Sequence, residues 1–205
     1  MTPLDSLSVP ESVYAPKEDS LLLAFAVRSL ARGKVLDLGT GSGIQAIAAA
    51  QKPLVTAVVA TDINPEALGA AEANAVAAGV VGKIAFIESD LFSSLAVEKF
   101  DCICFNPPYL PTADDEHVSG SLDAAFDGGP DGRRLTDAFI SQVKAFLAPK
   151  GIVLLVSSSL ADSAGEGNGN AETLAKLEAQ GFKCEILVSQ KFFFEELVII
   201  SAALP

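Results

Sequence analysis

Asn106-Pro107-Pro108-Tyr109 is the stretch of this chain whose residue types best fit a chemical task. A planar NH2 group on an amide or an aromatic ring has its lone pair delocalised into the π system. It attacks an electrophilic carbon only when the nitrogen is held and partly rehybridised. The side-chain oxygen of Asn106 and the carbonyl of Pro107 would each accept one N–H and turn the lone pair toward an electrophile about 3 to 3.5 Å away. Neither proline has an N–H, so the segment offers acceptors rather than donors. Tyr109 would cover the flat face of the target by stacking. The leaving proton becomes acidic only as the new bond forms, so no general base is assigned. The plainer alternative is a turn that ends a strand.

A second group of residues reads as a nucleoside site. Asp37-Leu38-Gly39-Thr40-Gly41-Ser42-Gly43 stands between an apolar run and a helical one. Glycines there let backbone approach a ligand, and the helix start offers free N–H groups. Gly41-Ser42-Gly43-Ile44-Gln45-Ala46 also fits the dinucleotide pattern G-x-G-x-x-A, and glycine in such loops can serve packing alone. Asp62 follows the cradle by about 20 residues, where an acid can accept both hydroxyls of a ribose. Its other reading is a cap for the helix that begins at Asn64-Pro65. Asp90, after the third apolar run, is placed for the exocyclic amine of an adenine, or is a solvated loop residue.

Alternating β-type and alanine-rich stretches must position these groups. Strands are expected at 34–38, 55–61, 83–88, 100–105 and 152–157, with helices at 44–50, from Pro65 to a stop at Gly79, from about 133 to 147, and at 171–180. A loop of about 20 residues follows Pro108. Residues 161–170, rich in Gly, Ser and Asn, read as a mobile surface loop. Residues 182–188 and 193–200 would form a final hairpin, with Phe192-Phe193-Phe194 as core strand or, alternatively, as an exposed edge for a partner. The pattern predicts an α/β, Rossmann-like doubly wound fold: a mostly parallel seven-stranded sheet with an antiparallel C-terminal hairpin strand. Residues 1–33 form an N-terminal segment and helix, and 34–205 the main domain, a single domain overall.

Composition narrows the partners. The chain of 205 residues carries 14 Lys and Arg against 26 Asp and Glu, a net charge of −12. A phosphate-backbone binder normally presents a basic face. The local candidates here are Arg28, Arg32 and Lys34, or Arg133, Arg134 and Lys144, so nucleic acid is the weaker expectation and a protein substrate the stronger. Apolar residues make up 50% of the chain, yet none of its runs approaches the roughly 18 needed to cross a membrane. Met1 to Pro10 carries Asp5 and no Lys or Arg, unlike a secretory signal, which predicts a soluble, cytoplasmic protein. Cys102, Cys104 and Cys184 show no metal-ligand spacing, and His117 beside Asp114-Asp115-Glu116 has no second histidine to join it. No metal is expected.

These motifs resemble the class I S-adenosylmethionine-dependent methyltransferases, and more narrowly the HemK-type glutamine methyltransferases of peptide-chain release factors. The narrower likeness is carried by Val13-Tyr14-Ala15-Pro16-Lys17-Glu18-Asp19-Ser20, by Thr61 to Ala67 and by Gly128-Gly129-Pro130-Asp131-Gly132-Arg133, and runs from about residue 13 to 157. It implies S-adenosyl-L-methionine as cofactor, contacted by Ser20, Asp37, Gly39, Gly41, Asp62, Asp90, Leu91 and Asn106. It also implies target binding by Asn106, Pro107 and Tyr109. The target would be the glutamine of the Gly-Gly-Gln motif in a class I release factor. Some members of this branch have glutamate where Asp37 stands. Only some 30 residues precede the first strand, as in the short eukaryotic and archaeal branch, which often works with a small zinc-binding activator protein. The Gly128–Gly132 segment has a plain reading too, as a turn in which Asp131 caps the next helix. Transfer to an RNA or DNA base amine, and a non-catalytic module that keeps the cofactor as a structural ligand, are the alternatives. Nicotinamide-dependent reduction fits poorly, because Asn-Pro-Pro-Tyr supplies no hydride-acceptor site or proton donor.

Overall fold

Seven strands form one sheet in the order β3-β2-β1-β4-β5-β7-β6. The structure, a computed structural model, describes residues 7–112 and 127–205. The strands are β1 (Gly33–Leu38), β2 (Val55–Asp62), β3 (Ile84–Glu88), β4 (Phe100–Phe105), β5 (Leu147–Ser158), β6 (Lys183–Lys191) and β7 (Glu196–Ala203). β1 to β5 pair in parallel, and β7 runs antiparallel to both of its neighbours. The predicted hairpin is present, and its second strand occupies the inner position. The burial pattern explains that order. Leu197, Val198, Ile199, Ile200 and Ala202 of β7 are buried, whereas β6 carries Lys183, Glu185, Gln190 and Lys191, exposed residues that suit a sheet edge.

The helices are α1 (Glu18–Leu30), α2 (Ile44–Ala50), α3 (Pro65–Ala77), α4 (Arg134–Gln142) and α5 (Gly169–Ala179). One core layer packs Leu23 and Val27 of α1 and the alanines of α2 on Val35, Cys102, Cys104 and Leu154. The opposite layer packs Phe139 and Ile140 of α4 and Leu177 of α5 on Leu36, Ile103, Phe105 and Leu155. All seven residues of α2 are buried. Four of them are alanine, whose small side chain suits close packing against the sheet and α1. Gly43 brings α2 against α3: a Cβ there would lie 3.0 Å from Ala71.

The predicted helix over 133–147 stops at Gln142, a 3-10 turn covers 143–145, and β5 begins at Leu147. The sheet decides this, because Leu147 pairs with Phe100 five residues ahead of the next register, Cys102 with Ile152. The Pro149-Lys150-Gly151 turn is accommodated as an irregularity within β5, with Lys150 at φ 64°. The 161–170 segment is organised by Asp162, whose carboxylate accepts from the N–H groups of Ala164 (3.0 Å), Glu166 (2.7 Å) and Asn168 (2.8 Å). The long loop after Pro108, with His117 and its neighbouring acids, lies largely outside the described residues.

Two expectations are overturned. Phe192-Phe193-Phe194 is not core strand: pairing of Lys191 with Glu196 ends the ladder and leaves the phenylalanines in the hairpin loop. Arg133 cannot belong to a basic patch, because it is 1% exposed and its guanidinium is consumed internally. It donates to the carbonyl of Ala161 (2.7 Å) and to Thr173 Oγ1 (3.2 Å), and pairs with Asp137 (2.9 Å) and Glu172 (3.1 Å). Arg134 is bound to Asp127 and Lys144 to the carbonyl of Gln180. Arg133 ties the turn before α4 to α5, and its loss leaves a void and an unpaired Ala161 carbonyl. Arg133→Ala is expected to lower the free energy of unfolding in urea by about 2 to 3 kcal/mol. The exposed Arg134→Ala should cost about 0.5 kcal/mol or less.

Candidate active site

Strand register sets the floor of the site. Leu38 of β1 lies beside Thr61 of β2 and Phe105 of β4, and Asp62 lies beside Glu88 of β3. Four parallel strands therefore end at one level, and the loops that follow them converge over the switch point between β1 and β4, where open parallel sheets gather their ligands. Ser20, Asp37, Gly39, Gly41, Asp62, Asp90, Leu91 and Asn106 all border one cleft there. The N-terminal segment supplies its remaining wall through Ser12, Val13 and Tyr14. That segment is strapped down by Asn74 of α3, which exchanges hydrogen bonds with the backbone of Ser8 (2.9 Å each) and donates to the Ser42 carbonyl (2.9 Å).

On the cradle side, Asp62 binds backbone. Its Oδ2 accepts from the Gly41 N–H and its Oδ1 from the Asn64 N–H, both at 2.9 Å. The helix cap belongs to Asn64, whose Oδ1 accepts from the Glu66 N–H (2.9 Å), so the capping alternative for Asp62 is not realised. Burial raises the Asp62 pKa, opposed by these N–H donors. Gly41 sits at φ 53° with open space where a Cβ would project, a bare strip of backbone facing the cleft. Asp37 accepts from Thr40 Oγ1 (2.6 Å) and the Ala46 N–H (3.0 Å), and burial pushes its carboxyl up to about 7. Beside it the thiols of Cys102 and Cys104 are pushed up by burial as well, Cys102 to about 12, and are inert packing groups.

Pro107 and Tyr109 do not face this cleft. They line an adjoining cavity together with Asp19, Phe192 and Glu195, and Asn106 borders both spaces. The Asn106 amide is oriented: Nδ2 donates to Asp19 Oδ2 (3.0 Å) and, at longer range, to Ser20 Oγ (3.5 Å), while Oδ1 is buried and has no partner among the described residues. Asp19 is 3% exposed and also accepts from Tyr14 Oη (3.1 and 3.0 Å), Tyr109 Oη (3.4 Å) and the Ser20 N–H. Burial, then the Asp19 charge, push both tyrosine pKa values up, so the phenols remain donors. Asp19 is the functional candidate that spacing did not single out. It stands 87 residues from Asn106, and only the packing of α1 on the sheet brings them together. In the Gly128–Gly132 turn the expected capping by Asp131 is not realised, because α4 has Arg133 at its N-cap and no side-chain cap hydrogen bond. Asp131 accepts from the Arg133 N–H (2.9 Å), and a Cβ on Gly132 would come within 2.4 Å of the Tyr109 carbonyl oxygen. Gly132 therefore lets the turn close behind Tyr109.

The family model of the methyltransferase small domain matches residues 16–122. The chain belongs to that family. Over nearly its whole length this methyltransferase is similar to a protein of Methanocaldococcus jannaschii provisionally named a protein N5-glutamine methyltransferase, at 43% identity over 96% of this chain and 94% of the relative. It is 31% identical to human methyltransferase HEMK2 over 92% of this chain and 88% of the relative. Among solved structures it resembles the E. cuniculi Mtq2–Trm112 complex, described as responsible for methylation of the eRF1 translation termination factor. That likeness has a TM-score of 0.68 at 29% identity, covering 95% of this chain and 99% of the other. The expected Rossmann-like fold and HemK-type kinship of this methyltransferase both hold. Among the described residues no helix is long and apolar enough to cross a membrane.

Asp37 gives the site a pH signature. Between an ordinary value near 3.8 and its folded value near 7, the native state holds a proton that the unfolded chain has released. Stability from this group is therefore full below about pH 4 and is lost as pH rises to about 7. Asp37→Asn is expected to flatten that decline, by up to about 4 kcal/mol between pH 4 and 7.5. Urea unfolding of both proteins across that range checks it; parallel curves would contradict the assignment.

Proposed function

We propose that this methyltransferase uses S-adenosyl-L-methionine to methylate the side-chain amide of glutamine in the Gly-Gly-Gln motif of a class I release factor. The observation that carries the reading is the Oδ1 of Asn106, which has no partner among the described residues and is buried between the two spaces with its NH2 end pinned to Asp19. An acceptor held in that place has a use for a target that brings N–H donors. The named relatives and the E. cuniculi complex support glutamine as the target and a termination factor as its carrier.

The chain's residues fit the cofactor. The bare backbone at Gly41, the Asp62 carboxylate at the end of β2 and Asp90 after β3 suit a nucleoside, and Gln45 Oε1, beside the cleft, is another buried acceptor without a partner. When bound there, S-adenosyl-L-methionine supplies a sulfonium methyl to the nucleophile. Asp62 and Asp90 would hold ribose and adenine, and Ser20, Asp37, Gly39 and Leu91 would complete the walls. Asn106 Oδ1 and the Pro107 carbonyl would each accept one N–H of the target amide, drawing its lone pair out of conjugation and aiming it along the transfer direction. Tyr109, its hydroxyl tethered to Asp19, would cover the amide plane. The amide proton leaves to water after the bond forms.

The Trm112 subunit of the Mtq2 complex supports a small activator partner for this chain as well. Incubation of the chain, such an activator, S-adenosyl-L-methionine and a release factor should yield a Gly-Gly-Gln peptide one methyl group heavier by mass spectrometry. An unmodified glutamine under those conditions would end the proposal. Asn106→Ala is expected to lower kcat by about 100- to 1000-fold, with cofactor affinity by calorimetry nearly unchanged. Near-normal turnover would remove Asn106 from its role.

A further inference from the structure

Phe193 and Phe194 are 91% and 81% exposed, side by side at one point of the surface. The Phe192 N–H donates to the Glu195 carbonyl (2.7 Å), which leaves these two as the corner residues of the β6–β7 hairpin. Two-residue hairpin loops favour Asn-Gly, Asp-Gly or glycine-containing pairs, whose backbones accept positive φ. Neither phenylalanine is at positive φ, and the rings touch chiefly each other, edge to face at 4.5 Å. Turn formation does not call for two aromatics, and the core does not use them.

Their position relates them to the reaction. Phe192 and Glu195, the residues that flank them, line the cavity shared by Asn106, Pro107 and Tyr109. A side chain inserted into that cavity must be carried by a backbone at its mouth. Residues on either side extend about 3.3 to 3.6 Å each, so the first few cross the hairpin tip. The wall chemistry selects the kind of chain. Glu18, Asp19 and Glu195 line the cavity against one base, Lys17, and Glu196 follows directly, an arrangement that repels a phosphate backbone. Resting on the glutamine reading above, we propose that the Phe193-Phe194 tip is a docking element for the substrate protein, binding apolar side chains that lie near its target glutamine, beyond the two glycines that precede it.

The double variant Phe193→Ser/Phe194→Ser tests this in the full chain with its activator. Because both rings are exposed, its melting temperature should match the parent's. For an intact release factor KM should rise about tenfold or more, with kcat within about twofold and cofactor affinity unchanged. Unchanged KM, or a fall in kcat alone, would overturn the docking role while leaving the glutamine reading intact. If the parent neither binds nor methylates the release factor, the glutamine reading fails and this proposal with it. Loss of self-association in sedimentation, or loss of binding to a single-stranded RNA oligonucleotide, in place of the KM effect would reassign the tip to another partner.

Discussion

A primary amide has a donor end and an acceptor end of nearly the same shape, and hydrogen-bond partners decide which end faces a cavity. In this protein the partner is the carboxyl group of Asp19, whose oxygens accept every hydrogen bond made to it. It takes the NH2 of Asn106 and so turns Oδ1 away from itself. Reversed, the amide would set oxygen against oxygen beside Asp19 and present N–H groups to the cavity, where another N–H donor could not pair. Tyr14, Tyr109 and Ser20 donate to the same carboxylate and hold it in place. The acceptor character of the pocket is thus a consequence of one buried acid and its donors.

The rest of the fold can be understood as what brings that acid to the strand ends. α1 lies over the sheet through Leu23 and Val27, which places its first turn, with Asp19 and Ser20, above the end of β4. Asn74 holds the segment ahead of α1 against α3, so Tyr14 reaches the carboxylate from the other side. Behind Tyr109 the glycine turn closes without a side chain at Gly132, and buried Arg133 ties that turn to α5. The cleft over β1 and β4 and the adjoining cavity both border Asn106.

Much of this was legible in the residues themselves. Periodicity located all seven strands and, to within two residues, the starts of the four helices that follow β1, because a strand buried on both faces needs a continuous apolar run and Pro65 suits the first turn of a helix. The cradle, the acid ending β2 and Asn106-Pro107-Pro108-Tyr109 announce themselves through types that local geometry demands: glycine where backbone must be bare, proline where a ladder must end. Boundaries were less legible, as at Leu147, which local preference assigns to helix and pairing with Phe100 draws into the sheet.

What the sequence determined alone was the set of elements and the chemistry available at their ends, since both follow from contacts within a few residues. Tertiary structure decided which of those groups act together. Asp19 and Asn106 meet across 87 residues, β7 inserts inside β6 because its two faces are apolar, Arg133 is buried where its charge predicted exposure, and Phe193-Phe194 is exposed where its hydrophobicity predicted core. Each outcome depends on packing between distant segments, whose energy is set by the surfaces that meet and is written in neither segment by itself.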